Sequence, residues 1–187
     1  MSRAGYVLVG GRSSRMGRDK ALLPFRGEPL AQVIANEVKA AAGHAAFVGT
    51  PCRPVPSGFS TVLDMYPGEG PLGGILTALR NTSSGWNLIV ACDMPNVSAA
   101  FLRELLDAAE CWDVDALLPA GPSRRLEPLC AVYHRRALQA LCAAFANGQR
   151  KVTAALDGLR VAVLIVPEAA PLQNVNTPAD WSPYARG

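Results

Sequence analysis

The chain lacks any long hydrophobic stretch. Hydrophobic residues make up 50% of its 187 positions, yet no apolar run approaches the roughly 18 to 20 residues that a membrane-spanning helix requires. The N-terminus passes from Met1 through Arg3 directly into a predicted strand, without the apolar core and cleavage site of a secretory signal. We therefore expect a cytoplasmic protein that does not bind a membrane.

Metal-binding and disulfide patterns are equally scarce. Only two histidines occur, and the five cysteines are an odd number with no Cys-x-x-Cys spacing. These features argue against a structural zinc site and against a disulfide framework, and they suit a reducing compartment. The cysteines are Cys52, Cys92, Cys111, Cys130 and Cys142.

The net positive charge is also small. A net charge of +3 is too small for a nucleic-acid-binding domain, which is expected to carry a basic face. The excess is concentrated in one loop, where Arg12, Arg15, Arg18 and Lys20, less Asp19, sum to +3. The loop follows a short apolar strand and begins with two glycines. Glycines let backbone N–H groups approach an anion and cations neutralise it, so the loop predicts a polyphosphate site.

The loop matches neither of two common phosphate-binding motifs. Arg18 and Asp19 stand directly before Lys20, and the glycine spacing differs from that of a Walker A sequence. The loop does not contain Gly-x-Gly-x-x-Gly either. From the residues alone, a solvated basic turn stays open as the alternative.

Strand-like and helix-like segments alternate along most of the chain. This alternation predicts one α/β domain over residues 1–187 with an open, mostly parallel sheet. Ligands gather at the carboxyl ends of such strands, where the basic loop, Asp64 and Asp93 are expected. Hydrophobic runs predict strands over 6–9, 45–48, 61–63, 86–92, 115–119, 127–134 and 161–166. Helices are predicted over 29–42, 71–81, 137–146 and 152–156, after Ser98 and after Pro178.

A family resemblance is visible in the same N-terminal stretch. Gly10 and Gly11 after the strand, then segments 15–17, 19–24 and 27–30 in that order, resemble the signature of molybdenum cofactor guanylyltransferases. The resemblance implies a Rossmann-like, glycosyltransferase-A-like three-layer sandwich, with a nucleotide-binding N-terminal half and an acceptor-binding C-terminal half. It also implies transfer of GMP from GTP to molybdopterin, with Mg2+. Family members usually carry alanine where this chain has Val9.

Asp93 and Asp64 close two of the predicted strands. One carboxylate at a strand tip is sufficient for Mg2+, which takes one or two protein carboxylates together with phosphate oxygens and water. The resemblance implies that Asp93 binds both Mg2+ and nucleotide, and that Asp64 contacts the nucleotide. A turn cap for Asp93 and a solvated loop position for Asp64 stay open as alternatives.

Lys20 and Arg15 are the candidate catalytic cations, alongside Asp93. Lys20 is a point charge on a flexible stem that can follow phosphate oxygens, and Arg15 can bind them through a two-pronged hydrogen-bonding fork. In the wider family a glycine pair accompanies guanylyl transfer, which favours GTP. The candidate nucleotide contacts made through the backbone are Leu8, Val9, Gly10 and Gly11.

Asn174 and Asn176 are candidate acceptor-site residues. Segment 174–178 resembles the family's C-terminal motif, and alternation along an extended chain would place both amides on one side. We expect Asn176 to offer its amide oxygen to the metal or to the second substrate; a cap for the helix after Pro178 is the alternative. No arginine of the second half is assigned to the acceptor, and His134 is expected to be structural.

The implied chemistry needs no catalytic histidine or serine. The attacking group is a phosphate monoester, mostly dianionic near neutral pH, so no proton has to be removed, and positioning and charge neutralisation are the main needs. Two other functions stay open: a cytidylyltransferase or sugar-phosphate nucleotidyltransferase of the same fold, and a non-catalytic nucleotide-binding module. The protein partners implied are those of molybdopterin synthesis or molybdoenzyme maturation.

Overall fold

A seven-stranded sheet forms the centre of the molecule, and a two-stranded hairpin is separate from it. The computed structural model describes residues 2–10, 19–49 and 58–185. The strands are β1 (Arg3–Val9), β2 (Pro24–Phe25), β3 (Glu28–Pro29), β4 (Ala45–Gly49), β5 (Ser60–Leu63), β6 (Trp86–Ala91), β7 (Ala116–Ala120), β8 (Cys130–His134) and β9 (Val161–Ile165). The helices are α1 (Leu30–Ala42), α2 (Pro71–Arg80), α3 (Ala99–Trp112), α4 (Leu138–Ala146), α5 (Val152–Ala155) and α6 (Pro178–Trp181).

Parallel pairing dominates the sheet. Its strand order is β5-β4-β1-β6-β8-β7-β9, and β1 pairs in parallel with both β4 and β6. The pairs β4–β5 and β7–β9 are also parallel, while β8 is antiparallel to its neighbours β6 and β7. The predicted open, mostly parallel α/β sheet is therefore confirmed, and the carboxyl ends of β1, β4, β5 and β6 lie along one edge.

Helices cover both faces of the sheet, which gives three layers. On one face α1 and α3 bury their apolar sides, and on α1 these include Leu30, Ile34 and Val38, each at most 1% exposed. Val7 packs in this cluster, whereas its neighbour Tyr6 packs in the opposite cluster with α2, α4 and α5. Burial of each large apolar side chain contributes about 1.5–3 kcal/mol. The alternation along β1 therefore determines which helices each of its residues contacts.

Local signals set the ends of several helices as the sequence predicts. The Ser98 hydroxyl accepts the N–H of Phe101 at 3.3 Å where α3 begins. Gly43, with φ of 78°, ends α1 in the left-handed conformation. Pro71 lies in the first turn of α2, where its missing N–H costs nothing. Among the described residues, no helix combines the length and the apolar character needed to cross a membrane.

Two strand starts differ from the prediction by three residues, and the other strand ends differ by at most one. β1 begins at Arg3 rather than at Tyr6, and the Arg3 guanidinium bonds to Glu110 of α3, which holds this end of the strand in place. β8 begins at Cys130 rather than at residue 127. The reason is a turn, because the Cys130 N–H donates to the carbonyl of Glu127 at 3.2 Å.

The hairpin of β2 and β3 has no counterpart in the prediction. It turns at Arg26 and Gly27, whose φ values are 52° and 81°. Two consecutive left-handed residues are typical of a two-residue hairpin turn. The sequence does not predict this turn, because asparagine, aspartate or glycine is expected at the position that Arg26 occupies.

Candidate functional site

A cleft of about 610 Å³ opens at the carboxyl ends of the parallel strands. Its volume is in the range of about 300–1,000 Å³ that is usual for small-ligand sites. A second depression, of about 500 Å³, is lined by α3 residues alone and lies on the outside of that helix. The cleft is lined by Leu8, Val9, Gly10, Asp19, Lys20, Val48, Gly49, Asp64, Pro67, Gly68, Gly70, Pro71, Gly74, Ala91, Cys92, Asp93 and Leu129.

Close backbone approach shapes one wall of the cleft. A Cβ added to Gly49 would lie 2.0 Å from the carbonyl oxygen of Val9 and 2.8 Å from its Cγ2. Only glycine at position 49 lets the ends of β1 and β4 pair beside the valine. The carbonyl of Leu8 accepts the N–H of Cys92 at 3.2 Å, so this acceptor is already engaged within the sheet edge.

Lys20, which lines this cleft, contacts both Asp93 and Asn176. The Lys20 ammonium lies 3.3 Å from Oδ2 of Asp93 and 2.6 Å from Oδ1 of Asn176. The side chains of Lys20 and Asp93 are only 16% and 21% exposed. Two hydrogen-bond-accepting oxygens, from residues 83 positions apart in the sequence, therefore converge on one cationic group.

Each of these three side chains is positioned by a defined backbone element. Lys20 begins the short helical turn Lys20–Leu22, which Asp19 caps by accepting the Ala21 N–H at 3.1 Å. Asp93 follows β6, and its carbonyl accepts the N–H of Val175 at 2.8 Å. That bond ties the Asn176 segment to the tip of β6.

Asp64 lies at the end of β5 and organises the loop that follows. Its Oδ1 accepts the N–H of Tyr66 at 2.9 Å and lies 3.2 Å from the hydroxyl of Thr77, which is fully buried in α2. The Asp64 N–H donates to the carbonyl of Gly49 at 3.1 Å. The structure thus places Asp64 in a bonded, half-buried position and not as a solvated loop residue.

The loop between Asp64 and α2 contains glycines with positive φ. Gly68 and Gly70 have φ values of 82° and 84°, which side-chain-bearing residues rarely adopt, and both line the cleft. Gly70 precedes the first residue of α2, so the helix begins at the cleft. The unpaired N–H groups of a helix N-terminus favour an anion at this place.

Glu127 is a buried carboxylate at the same edge that the sequence reasoning did not assign. Its Oε2 accepts a hydrogen bond from Nδ2 of Asn174 at 3.1 Å. Burial raises the pKa of Glu127, and the hydrogen bonds from Asn174 and from the Leu129 N–H oppose this effect. The only sequence signal is its place beside Leu129, in a segment that resembles the acceptor-side region of the family.

Two arginines of the second half form ion pairs at separate places. Arg150 bonds to Glu69 at 2.6 Å and stacks on Phe145, which ties the loop after Asp64 to α4. Arg136 bonds to Asp115 at 2.5 Å at the start of β7, the sheet edge opposite the cleft. His134 stacks edge-on against Trp86, with ring centroids 4.7 Å apart.

Part of the predicted basic loop lies outside the described residues. The candidate site residues concerned are Gly11 and Arg15, together with the neighbouring Arg12 and Arg18. The described part of the cleft contains the remaining residues of the predicted nucleotide set: Leu8, Val9, Gly10, Lys20, Asp64 and Asp93.

Comparisons with known proteins agree on one family. The model of the MobA-like NTP transferase domain matches residues 5–161. A molybdenum cofactor guanylyltransferase of Xanthomonas euvesicatoria pv. vesicatoria is 40% identical over 185 residues, covering 95% of this chain and 92% of the relative. A probable molybdenum cofactor guanylyltransferase of a Nostoc species is 33% identical, covering 93% and 86%. The crystal structure of molybdopterin-guanine dinucleotide biosynthesis protein A from Archaeoglobus fulgidus superposes with a TM-score of 0.82 at 28% identity, covering 98% of this chain and 97% of that one.

Proposed function

The chain belongs to the MobA-like NTP transferase family, and from this membership we propose that it transfers GMP from GTP to the phosphate of molybdenum-molybdopterin. The products are pyrophosphate and the molybdopterin guanine dinucleotide cofactor. The observation that carries the proposal is the convergence of Asp93 and Asn176 on Lys20, beside a cleft at the strand ends. This arrangement brings a cation and two oxygen ligands together where a nucleoside triphosphate would bind.

We assign the nucleotide to the side of the cleft formed by β1, β4 and the loop before α2. Leu8, Val9, Gly10 and Gly11 would contact it through their backbone, and Asp64 would hold the loop that closes this side. Gly68 and Gly70 keep the loop free of side chains beside the phosphates. The acceptor is assigned to the C-terminal half, with Asn174 and Asn176 at the boundary between the two substrates.

Mg2+ fits the donors of this site. The carboxylate of Asp93 and the amide oxygen of Asn176 are hard oxygen ligands, and their arrangement around the Lys20 ammonium supports a site in which both face one cation. These two residues would hold the ion. Bound there, Mg2+ would neutralise charge on the phosphate oxygens of the substrate.

The reaction requires no proton transfer from the protein. An oxygen of the acceptor phosphate, already deprotonated, forms a bond to the α-phosphorus of GTP. The bond from this phosphorus to the oxygen bridging the β-phosphate breaks, and pyrophosphate leaves with the electron pair. Lys20 and Arg15 would neutralise the negative charge of the two approaching anions. Neither His44 nor His134 is among the described residues that line the cleft, which agrees with chemistry that needs no general base.

The test is pyrophosphate release by the purified protein supplied with molybdopterin and each nucleoside triphosphate in turn. We expect release with GTP and Mg2+ only when molybdopterin is present. Release with CTP or UTP in place of GTP would indicate a related nucleotidyltransferase instead. Binding of GTP without release of pyrophosphate at any metal concentration would indicate a non-catalytic module.

We further propose that the protein acts in the cytoplasm beside the proteins of molybdopterin synthesis and molybdoenzyme maturation.

A further inference from the structure

Glu127 is a buried charged group that the proposed chemistry does not use. Among the described residues it is the one charged residue that is almost fully buried, with 9% exposure. Burial of a carboxylate is costly unless hydrogen bonds compensate for the lost water. A position of this kind therefore needs an explanation beyond chance placement in a turn.

The sheet framework holds Glu127 rigidly. Its N–H donates to the carbonyl of Pro119 in β7 at 3.0 Å, and its carbonyl accepts the N–H of Cys130, the first residue of β8, at 3.2 Å. Leu129, two residues further along the chain, lines the cleft. The backbone of Glu127 is thus held at a fixed position beside the site.

The segment that it contacts is held by individual contacts, among them the buried side chain of Val175, and not by regular secondary structure. Residues 173–177 have no regular secondary structure, although they carry Asn176 to Lys20. On the N-terminal side of Asn176, the segment is held by the Val175 N–H on the Asp93 carbonyl, at 2.8 Å, and by Nδ2 of Asn174 on Glu127, at 3.1 Å. On its C-terminal side, the Asn176 N–H bonds to Asp180 at 2.9 Å.

The contact also determines the orientation of the Asn174 amide. An ionised carboxylate can only accept hydrogen bonds, so the NH2 group of Asn174 must face Glu127 and its oxygen must face away. Side chains two residues apart on extended backbone point to the same side, so the anchor at Asn174 acts on the side that bears Asn176.

We propose that Glu127 is a positioning residue for guanylyl transfer: through Asn174 it fixes the segment that presents Asn176 to Lys20 and Asp93. The inference rests on the proposed function for its kinetic consequences. Loss of the contact would leave the cleft intact but let Asn176 drift from its place. Outer-shell partners of this kind typically change activity or metal affinity by about 10- to 100-fold.

A swap of the hydrogen-bond partners separates this role from a purely structural one. Glu127→Ala removes the anchor, and Asn174→Asp sets two carboxylates against each other at nearly unchanged volume. We expect each variant to lower kcat and to raise the half-saturating Mg2+ concentration by about tenfold.

Glu127→Gln should lose at most about fivefold in kcat, because its amide oxygen still accepts a hydrogen bond from the Asn174 NH2 group. The double variant Glu127→Gln with Asn174→Asp restores a hydrogen bond of reversed direction and should recover most of the activity lost in Asn174→Asp.

A matched control is Glu37→Ala. Glu37 is also a carboxylate that joins two segments, accepting the N–H of Ala99 at 2.6 Å at the start of α3, but it is not among the described residues that line the cleft. This variant should lower the melting temperature without changing kcat or the Mg2+ requirement. If Glu127→Ala behaves in the same way, Glu127 is merely structural and the proposal is overturned. Equal damage from Glu127→Gln and Glu127→Ala would also overturn it, because the charge itself, and not the bond to Asn174, would then matter.

A binding readout keeps this proposal distinct from the proposed function. Calorimetric titration of GTP with Mg2+, in the absence of acceptor, should show weaker binding by Glu127→Ala and Asn174→Asp, and recovery in the double variant. If the wild-type protein transfers no GMP but this binding pattern holds, the proposed function fails while the positioning role stands. If GMP transfer is found and the binding pattern is flat in all variants, the positioning role fails alone.

Discussion

Replacement of Lys20 by methionine should weaken catalysis and strengthen metal binding at the same time. Methionine keeps an unbranched stem and removes the ammonium that lies 3.3 Å from Asp93 and 2.6 Å from Asn176. If Lys20 stabilises charge in the transition state as an oxyanion donor does, its loss costs about 2.7–4 kcal/mol, or roughly 10²- to 10³-fold in kcat. The same ammonium, however, lies where a metal ion would meet both oxygens in the nucleotide-free protein.

The expected gain in metal affinity can be estimated from the Lys20–Asp93 distance. At 3.3 Å, Coulomb's law gives about 1 kcal/mol at the dielectric constant of water and about 5 kcal/mol at an effective value of about 20. Both side chains are partly desolvated, which offsets much of the larger figure. We therefore expect a net gain of about 1–2 kcal/mol, equivalent to roughly 5- to 30-fold tighter metal binding by Lys20→Met.

Calorimetric titration with Mg2+ or Mn2+, without nucleotide, measures this affinity directly. Lys39→Met is the matched control, because Lys39 lies on α1 and contacts the carbonyl of Gly58 and the ring of Phe59 instead of the cleft. Unchanged or weaker metal binding by Lys20→Met, at a level equal to the control, would refute the idea that ammonium and metal compete for the same two oxygens.

Three further variants test separate parts of the structure. Asp93→Asn keeps the shape but removes the metal-binding charge, so GMP transfer should fall at least about 100-fold; a near wild-type rate in a pyrophosphate assay would remove Asp93 from the metal site. Asn176→Ala should raise the half-saturating Mg2+ concentration, and an unchanged value would exclude Asn176 as a ligand. Burial would raise the pKa of Asp115, but the Arg160 N–H and the guanidinium groups of Arg136 and Arg160 lower it from 3.8 to about 2. This carboxylate therefore stabilises the fold above pH 4, and its contribution is lost as the pH falls toward 2. Asp115→Asn should cost about 1–2 kcal/mol in denaturant unfolding at pH 7 and flatten the loss between pH 4 and pH 2; a variant as acid-sensitive as the wild type would contradict this.

The sequence predicts the site best where one strand end determines it. Asp64 and Asp93 each follow an apolar run, and parallel strands bring their carboxyl ends to a common edge whatever the details of packing. The periodicity of the helices likewise predicts the layers, because burial of one helix face is the dominant energy term. The start of β8 and the hairpin at Arg26 and Gly27 are missed because they depend on individual turns and not on a repeating hydrophobic pattern.

Contacts between distant segments are beyond this kind of reasoning. The motif resemblance brings Asn176 into consideration, but its hydrogen bond with Lys20 crosses 156 positions and depends on the course of segment 173–177. Glu127 gives even less signal, since a glutamate in a polar loop is normally exposed. It becomes buried only because β8 inserts antiparallel between β6 and β7 and brings the loop before it to the cleft edge.

If a metal ion binds Asp93 and Asn176 as proposed, the Lys20 side chain has to move when substrates bind. A single ammonium cannot remain bonded to Asp93 and Asn176 while a divalent cation binds the same oxygens and phosphate oxygens require neutralisation. The turn Lys20–Leu22 is fixed by the Asp19 cap, whereas the lysine stem has four rotatable bonds. The movement would then be confined to the side chain, with the ammonium leaving the two oxygens and following the phosphates. In that exchange the carboxylate would keep a cationic partner throughout, which would reduce the cost of assembling two anionic substrates in the cleft.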